Sequence, residues 1–149
     1  MRMLARIILV TLMAAIAMQH AAAAEVRVLG TADVAEALRP LAAAFGRQTG
    51  HRVLLTLGSI EDATQKLAAN EVHDAVILPE PMMDRLDGDG VVNPESRLRL
   101  AASSGITYEG ALMSDGSEPE AARAFLEFLA SAEARATWTA AKLEPVAER

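Results

Sequence analysis

The chain has 149 residues, a formal net charge of −6 and no cysteine. The lack of cysteine excludes disulfides and cysteine-based metal or redox chemistry. The acidic balance argues against nucleic acid and anionic membrane surfaces as partners. A chain of this length predicts one domain with one core.

The first 24 residues have the pattern of a secretory signal peptide. A basic start, "MRMLAR", precedes the apolar run "IILVTLMAAIAM" and the Ala-rich stretch "QHAAAA". We expect cleavage near Ala23 or Ala24, a periplasmic or secreted protein, and no membrane insertion after cleavage. The alternative is an uncleaved anchor, although the apolar run is short for a membrane span. Loss of residues 1–24 changes the formal charge to −8.

The first predicted elements are a strand over residues 25–30 and a helix that ends near Gly50. Asp33 is expected to cap the start of this helix. Pro40 is expected to kink or divide it, because its ring meets a carbonyl of the preceding turn. The apolar stripe of the helix recurs at steps of three and four residues: Val34, Leu38, Leu41 and Phe45.

The next predicted elements continue the strand–helix alternation. A strand over residues 52–58 leads into a helix over 59–70, in which Ser59 and Asp62 form a near capping box. A third strand follows over residues 73–79. Strands that alternate with helices predict parallel pairing through βαβ units.

The C-terminal half predicts two more strands and two helices. The strands lie over residues 96–103 and 105–116, and the second of them is a candidate for antiparallel entry. One helix covers residues 118–131, and Ser131 is expected to cap another that runs to about Leu143, with Trp138 as its apolar anchor. The predicted fold class is therefore α/β: a mixed, mostly parallel sheet of about five strands flanked by helices.

Metal binding and cofactors have little support in the sequence. His51 and His73 have no ligand partner at helical spacing. Residues 84–90, "DRLDGDG", resemble the start of a calcium loop, but Leu98 stands where the closing Glu is required. We interpret this stretch as a solvated acidic turn, and we expect neither a metal nor another cofactor.

Catalysis is also weakly supported. Ser59 follows a strand and opens a helix, as an esterase nucleophile does, but the second Gly of that motif is missing. No acid is placed to orient His73, and no phosphate-binding loop occurs. We expect no enzymatic activity, and a hydrolase using Ser59 is the least favoured alternative.

Two strand-to-helix junctions are the candidate ligand site. In an open parallel sheet, ligands bind beyond the carboxyl ends of the strands. The residues at these junctions are Thr31, Asp33, Gly58 and Ser59. Local pattern alone also fits ordinary caps and turns, since most such junctions hold no ligand.

Nearly the whole chain after residue 24 resembles the periplasmic molybdate-binding, type 2 solute-binding proteins of ABC transporters. The matching motifs are T-G-H-x-V before the second strand, the strand–Gly–Ser junction, H-D-A-V-I-L, and the C-terminal P-E-A-A-R-A-F-L-E-F-L-A-S helix. The resemblance implies a fold of two lobes that enclose a small solute. It also implies a membrane subunit of an ABC transporter as a partner.

Two departures from the family pattern change these expectations. The strands that lead to and from the second lobe in the family follow each other almost directly here, so residues 25–149 are expected to form a single lobe. Asp33 and Ile60 stand where the resemblance places serines that contact the oxyanion. We therefore expect altered or lost oxyanion binding, with a preference for a cationic or hydroxyl-bearing ligand, and a homodimer. The alternative is a structural or interaction protein without a small ligand.

Overall fold

The computed structural model describes residues 22–146. The predicted signal peptide lies almost wholly outside the described residues. The strands are β1 Glu25–Thr31, β2 Arg52–Gly58, β3 Ala75–Pro79, β4 Leu98–Ser103, β5 Ile106–Leu112 and β6 Glu144–Pro145. The helices are α1 Ala35–Thr49, α2 Ile60–Ala68, α3 Glu80–Gly88, α4 Pro119–Ala130 and α5 Arg135–Ala140. Short 3₁₀ turns lie at Ala32–Val34, Pro94–Ser96 and Ala132–Ala134.

One six-stranded sheet with the order β2-β1-β3-β5-β4-β6 forms the centre of the described part of the chain. β1 pairs in parallel with β2 and β3, whereas β5 enters antiparallel between β3 and β4. The α/β prediction with a mixed sheet is confirmed, as is the antiparallel entry of β5. The prediction that the sheet is mostly parallel is wrong, because β5 pairs antiparallel with both of its neighbours and β6 pairs antiparallel with β4. The sixth strand was not predicted, because its two residues are too few to show the alternation of apolar and polar residues that marks a strand.

Helices cover both faces of the sheet and bury a core on each. On the face of α1, α4 and α5, the rings of Phe45 and Phe125 lie 5.2 Å apart. Trp138 is 1% exposed there and donates a hydrogen bond from Nε1 to the carbonyl oxygen of Leu129 at 2.9 Å. The smaller core, under α2 and α3, is built around Leu29, Val76, Leu78 and Met83.

The expected division of α1 at Pro40 and the expected cap at Ser131 are both wrong, whereas the kink at Pro40 stays a prediction. Pro40 does not divide α1, which runs unbroken from Ala35 to Thr49 because the exposed proline is flanked by Leu38 and Leu41, both buried against the sheet. Ser131 does not cap the last helix. Its hydroxyl donates to the carbonyl oxygen of Phe128 at 2.6 Å, and a 3₁₀ turn precedes α5.

The connection between β4 and β5 is a two-residue turn. Its residues, Ser104 and Gly105, both have positive φ angles, of 51° and 79°. Positive φ at both central positions gives a hairpin turn whose twist matches that of the flanking strands. β5 therefore follows β4 directly, at the point where the family has the longer segment that forms the second lobe according to the resemblance.

No helix among residues 22–146 is long and apolar enough to cross a membrane.

Candidate functional site

The carboxyl ends of β1 and β2 bring the two predicted junctions side by side. Thr31, the last residue of β1, is in register with Gly58, the last residue of β2. Ser59 follows Gly58 directly, and Asp33 lies two residues after Thr31. The backbone therefore places all four candidate residues along one edge of the sheet.

Thr31 carries unmet hydrogen-bonding capacity at this edge. The residue is 1% exposed, and its Oγ1 has no hydrogen-bond partner among the described residues. A buried polar group without a partner costs about 1–3 kcal/mol. It is the only one of the four residues whose side chain is both buried and unpaired.

Asp33 does not cap a helix, contrary to expectation. It lies inside the 3₁₀ turn, and neither this turn nor α1 has a side-chain cap at its start. The exposed carboxylate instead lies beside Tyr108 of β5. Burial raises the pKa of Tyr108, and the nearby negative charge of Asp33 raises it further. The first-turn N–H groups are thus not capped by Asp33.

Ser59 forms the predicted capping box with Asp62. Its Oγ accepts from the N–H of Asp62 at 3.0 Å and donates to Asp62 Oδ2 at 2.9 Å. Hydrogen bonds from Ser59 lower the pKa of the Asp62 carboxyl. Because its single proton is already donated, Ser59 can only accept from a ligand while the box is intact.

The Asp62 carboxylate also limits the size of the residue that can occupy the position of Gly58. A Cβ at this position would lie 2.9 Å from Asp62 Oδ2, so a larger residue would displace the capping box. Ile60, the first residue of α2, is 46% exposed beside it. The β2 junction therefore presents a hydrocarbon and a carboxylate rather than free hydroxyl donors.

Further carboxylates lie near the end of β3. Glu80, which follows β3, forms an ion pair with Arg99 at 3.2 Å. Arg97 donates hydrogen bonds to Glu109, Asp84 and Asp87 at 2.6–2.9 Å. Burial acts to lower the pKa of Arg97, but these hydrogen bonds outweigh it and raise the pKa.

The predicted acidic turn is only partly correct. Asp84 and Asp87 belong to α3 rather than to a turn, and Arg97 binds both of them. This pairing could not be read from the local sequence, because Arg97 lies on the far side of a loop. Among residues 22–146, no group of three potential ligands could hold a metal ion.

The two histidines of residues 22–146 lie at the other end of the sheet from Ser59. His51 immediately precedes β2 and Ser59 follows it, so about 20 Å of strand separates them. His73 likewise precedes β3. Within the described part of the chain, a Ser–His pair for nucleophilic catalysis is therefore not assembled at Ser59.

Comparison with protein families gives one matching model. It is described as bacterial extracellular solute-binding protein, and it matches residues 26–105 and 98–141. Among curated proteins, none matches the chain significantly.

Several solved structures share the fold at low sequence identity. A domain from Clostridium difficile, described as the substrate-binding domain of a molybdenum ABC transporter, has a TM-score of 0.75 and 10% identity. The periplasmic molybdate-binding protein of Azotobacter vinelandii has a TM-score of 0.73 and 13% identity. Each alignment covers 83% of this chain and 100% of the other. For the sulfate-binding protein SubI of Mycobacterium tuberculosis, the TM-score is 0.69 at 14% identity, with coverage of 83% and 87%.

Proposed function

Because the chain belongs to the bacterial extracellular solute-binding protein family, we propose that it is an exported solute-binding protein of one lobe whose oxyanion binding is altered or lost. In this proposal, residues 1–24 direct export and are removed. Thr31, Asp33, Gly58 and Ser59 line the ligand edge. The partners are a small solute and the membrane subunit of an ABC transporter.

The two-residue turn at Ser104 and Gly105 supports the single lobe. The family resemblance implies two-lobed proteins in which the strands corresponding to β4 and β5 lead to and from the second lobe. In this chain, a two-residue turn with positive φ angles connects β4 directly to β5. The family model also matches in two segments, 26–105 and 98–141, as expected where intervening family sequence is missing.

The exposed carboxylate of Asp33 is the observation that carries the altered ligand preference. The family resemblance aligns Asp33 with a serine that contacts the oxyanion, and the carboxylate does not cap the helix. A carboxylate about 4 Å from a doubly charged anion is repelled by several kcal/mol at the effective dielectric of a protein site. A helix start contributes about 1 kcal/mol of attraction, which does not offset that repulsion. A cationic or hydroxyl-bearing solute avoids this cost.

A second copy would complete the enclosure of a ligand. Small-ligand sites usually bury most of the ligand surface, which one open sheet edge cannot do. Ile60 and Ile106 near this edge are 46% and 44% exposed, and apolar groups of this size favour association. We therefore propose a homodimer, and light scattering that gives a monomer at all micromolar concentrations would contradict it.

Calorimetric titration with molybdate tests the proposed loss of oxyanion binding. The wild-type protein should give no binding heat, whereas D33S/I60S restores both hydroxyls and should gain it. The matched control, D115S/V72S, replaces an aspartate and a β-branched aliphatic residue by serine at exposed positions elsewhere. Wild-type protein that binds molybdate as tightly as D33S/I60S would contradict the proposal.

The structural or interaction protein remains the second candidate. It would use the same fold without a small ligand, so Asp33→Ala would change stability and no binding property. Screening amines, sugars and oxyanions by calorimetry separates the two, since only the solute-binding protein gives binding heat. The Ser59-dependent hydrolase has less support, because the Ser59 proton is donated to Asp62.

A further inference from the structure

β2 is an unprotected outer strand of the sheet. Among residues 22–146 it pairs only with β1, and each of its residues from Val53 to Gly58 is partly exposed. This stretch contains neither proline nor a charged residue. Edge strands in native proteins are normally blunted by such residues or covered, because their free backbone groups can pair with another chain.

The backbone of β2 offers a regular row of donors and acceptors. The N–H of Arg52 donates to the carbonyl oxygen of Ala24 at 2.8 Å, toward β1. Successive residues of a strand direct their backbone groups to opposite sides. The N–H and C=O groups of Val53, Leu55 and Leu57 therefore face away from the sheet, where an added strand could bind them.

Helix α1 forms one wall of a groove along this edge. The groove has a volume of about 630 Å³, and Val53 and Leu55 supply its apolar floor. Arg39, Ala43 and Arg47 follow each other at four-residue steps, so they share the face of α1 that lines the groove. A small residue between two arginines leaves room for a chain to lie against the helix.

The charge of this groove is opposite to that of the protein. Among the described residues, Arg39 and Arg47 have no carboxylate within ion-pairing distance, and Arg52 reaches only Glu25, at 3.8 Å. The whole chain carries a formal charge of −6. Unpaired arginines beside free strand edges attract carboxylates at a site where backbone pairing is also available.

We propose that β2 binds an extended acidic polypeptide segment as an added strand. Carboxylates on alternate residues of the segment reach Arg39 and Arg47, and the intervening apolar side chains lie on the other face of the sheet beside Leu54. Main-chain hydrogen bonds supply affinity, and the arginines select acidic residues. Pairing of β2 with β2 of a second copy would instead bring the arginines of both copies together.

A labelled heptapeptide that alternates glutamate with valine tests this proposal by fluorescence anisotropy. It should bind the full chain with an affinity that weakens as salt is added. R39E/R47E should weaken binding by about tenfold. The matched control, R85E/R123E, reverses two exposed arginines outside the groove and should change the affinity by less than about twofold.

Two further peptides separate charge from backbone pairing. The lysine–valine counterpart should not bind, and N-methylation of alternate amides in the glutamate peptide should abolish its binding. Three results would overturn the proposal: equal binding of the lysine peptide, no binding of the glutamate peptide at ~1 mM, or equal weakening by R85E/R123E. A dimer in light scattering that R39E/R47E dissociates would also overturn it, in favour of self-association through β2.

Discussion

The Asp74 carboxylate accepts a hydrogen bond from the backbone N–H of Glu118 at 2.9 Å, which joins the start of β3 to the start of α4. Asp74 Oδ1 also accepts from the N–H of Ser117, and Oδ2 accepts from the N–H of Arg27 at 2.8 Å. α4 has no side-chain cap from its own N-cap residue. A residue 44 positions earlier in the chain therefore caps this helix.

Asp74→Ala should lower the free energy of unfolding by about 3 kcal/mol. Asp74 is 1% exposed, and its removal leaves three backbone N–H groups from two segments of the chain without this acceptor. Urea denaturation measures the change. Asp115→Ala, at an exposed position in the neighbouring loop, should stay within about 0.5 kcal/mol of the wild type. Equal stability of both variants would contradict the capping role of Asp74.

Local sequence patterns were sufficient for most of the fold. β2 has the predicted bounds, and the capping box of Ser59 and Asp62 forms as predicted, because both depend on residues that are close in the chain. The alternation of strands and helices also gave the fold class. These features arise from backbone periodicity and first-turn hydrogen bonds, which a sequence displays directly.

Contacts between distant segments account for what the sequence did not predict. Asp33 was expected to cap α1, but its carboxylate lies beside Tyr108, which only the antiparallel entry of β5 brings near. Arg97 and Asp74 likewise act through partners that are far from them in sequence. No periodicity or cap motif signals such pairs.

Asp33→Asn should lower the pKa of Tyr108. The substitution removes the negative charge that disfavours the tyrosinate, although burial still holds the pKa above its ordinary value of 10.0. The chain contains one tyrosine, so ultraviolet titration of the phenol reports this residue alone. Glu36→Gln, an exposed carboxyl one turn away in α1, is the control. An unchanged titration midpoint in Asp33→Asn would place the carboxylate away from Tyr108.

His73 should make the protein less stable in mild acid. It is 5% exposed, and neither ring nitrogen has a hydrogen-bond partner among the described residues. Burial lowers the pKa of His73 below its ordinary value of 6.5, and the charge of Glu71 only partly opposes this. The unfolded chain then binds the proton first, so stability present above pH 6.5 is lost as the pH falls toward the folded-state pKa.

The difference between the wild type and His73→Phe isolates this effect. Urea denaturation of both proteins at a series of pH values below 7.5 measures it. Both proteins share the titration of every carboxyl group, but only the wild type also protonates His73. The wild type should therefore lose more stability on acidification than the variant. Parallel pH profiles would show that His73 is protonated as easily in the folded protein as in the unfolded chain.

The Ser104–Gly105 turn should depend on its left-handed backbone. Gly105 has a φ of 79°, and a Cβ there would contact nothing, so Gly105→Ala tests conformation rather than space. We expect a loss of about 1 kcal/mol in the free energy of unfolding. Gly88→Ala, also in open space but without a positive φ, should be neutral or stabilising. Ser104→Asn creates the favoured Asn-Gly pair and should stabilise the hairpin. Equal free energies of unfolding for Gly105→Ala and Gly88→Ala would show that the turn between β4 and β5 does not depend on its left-handed backbone.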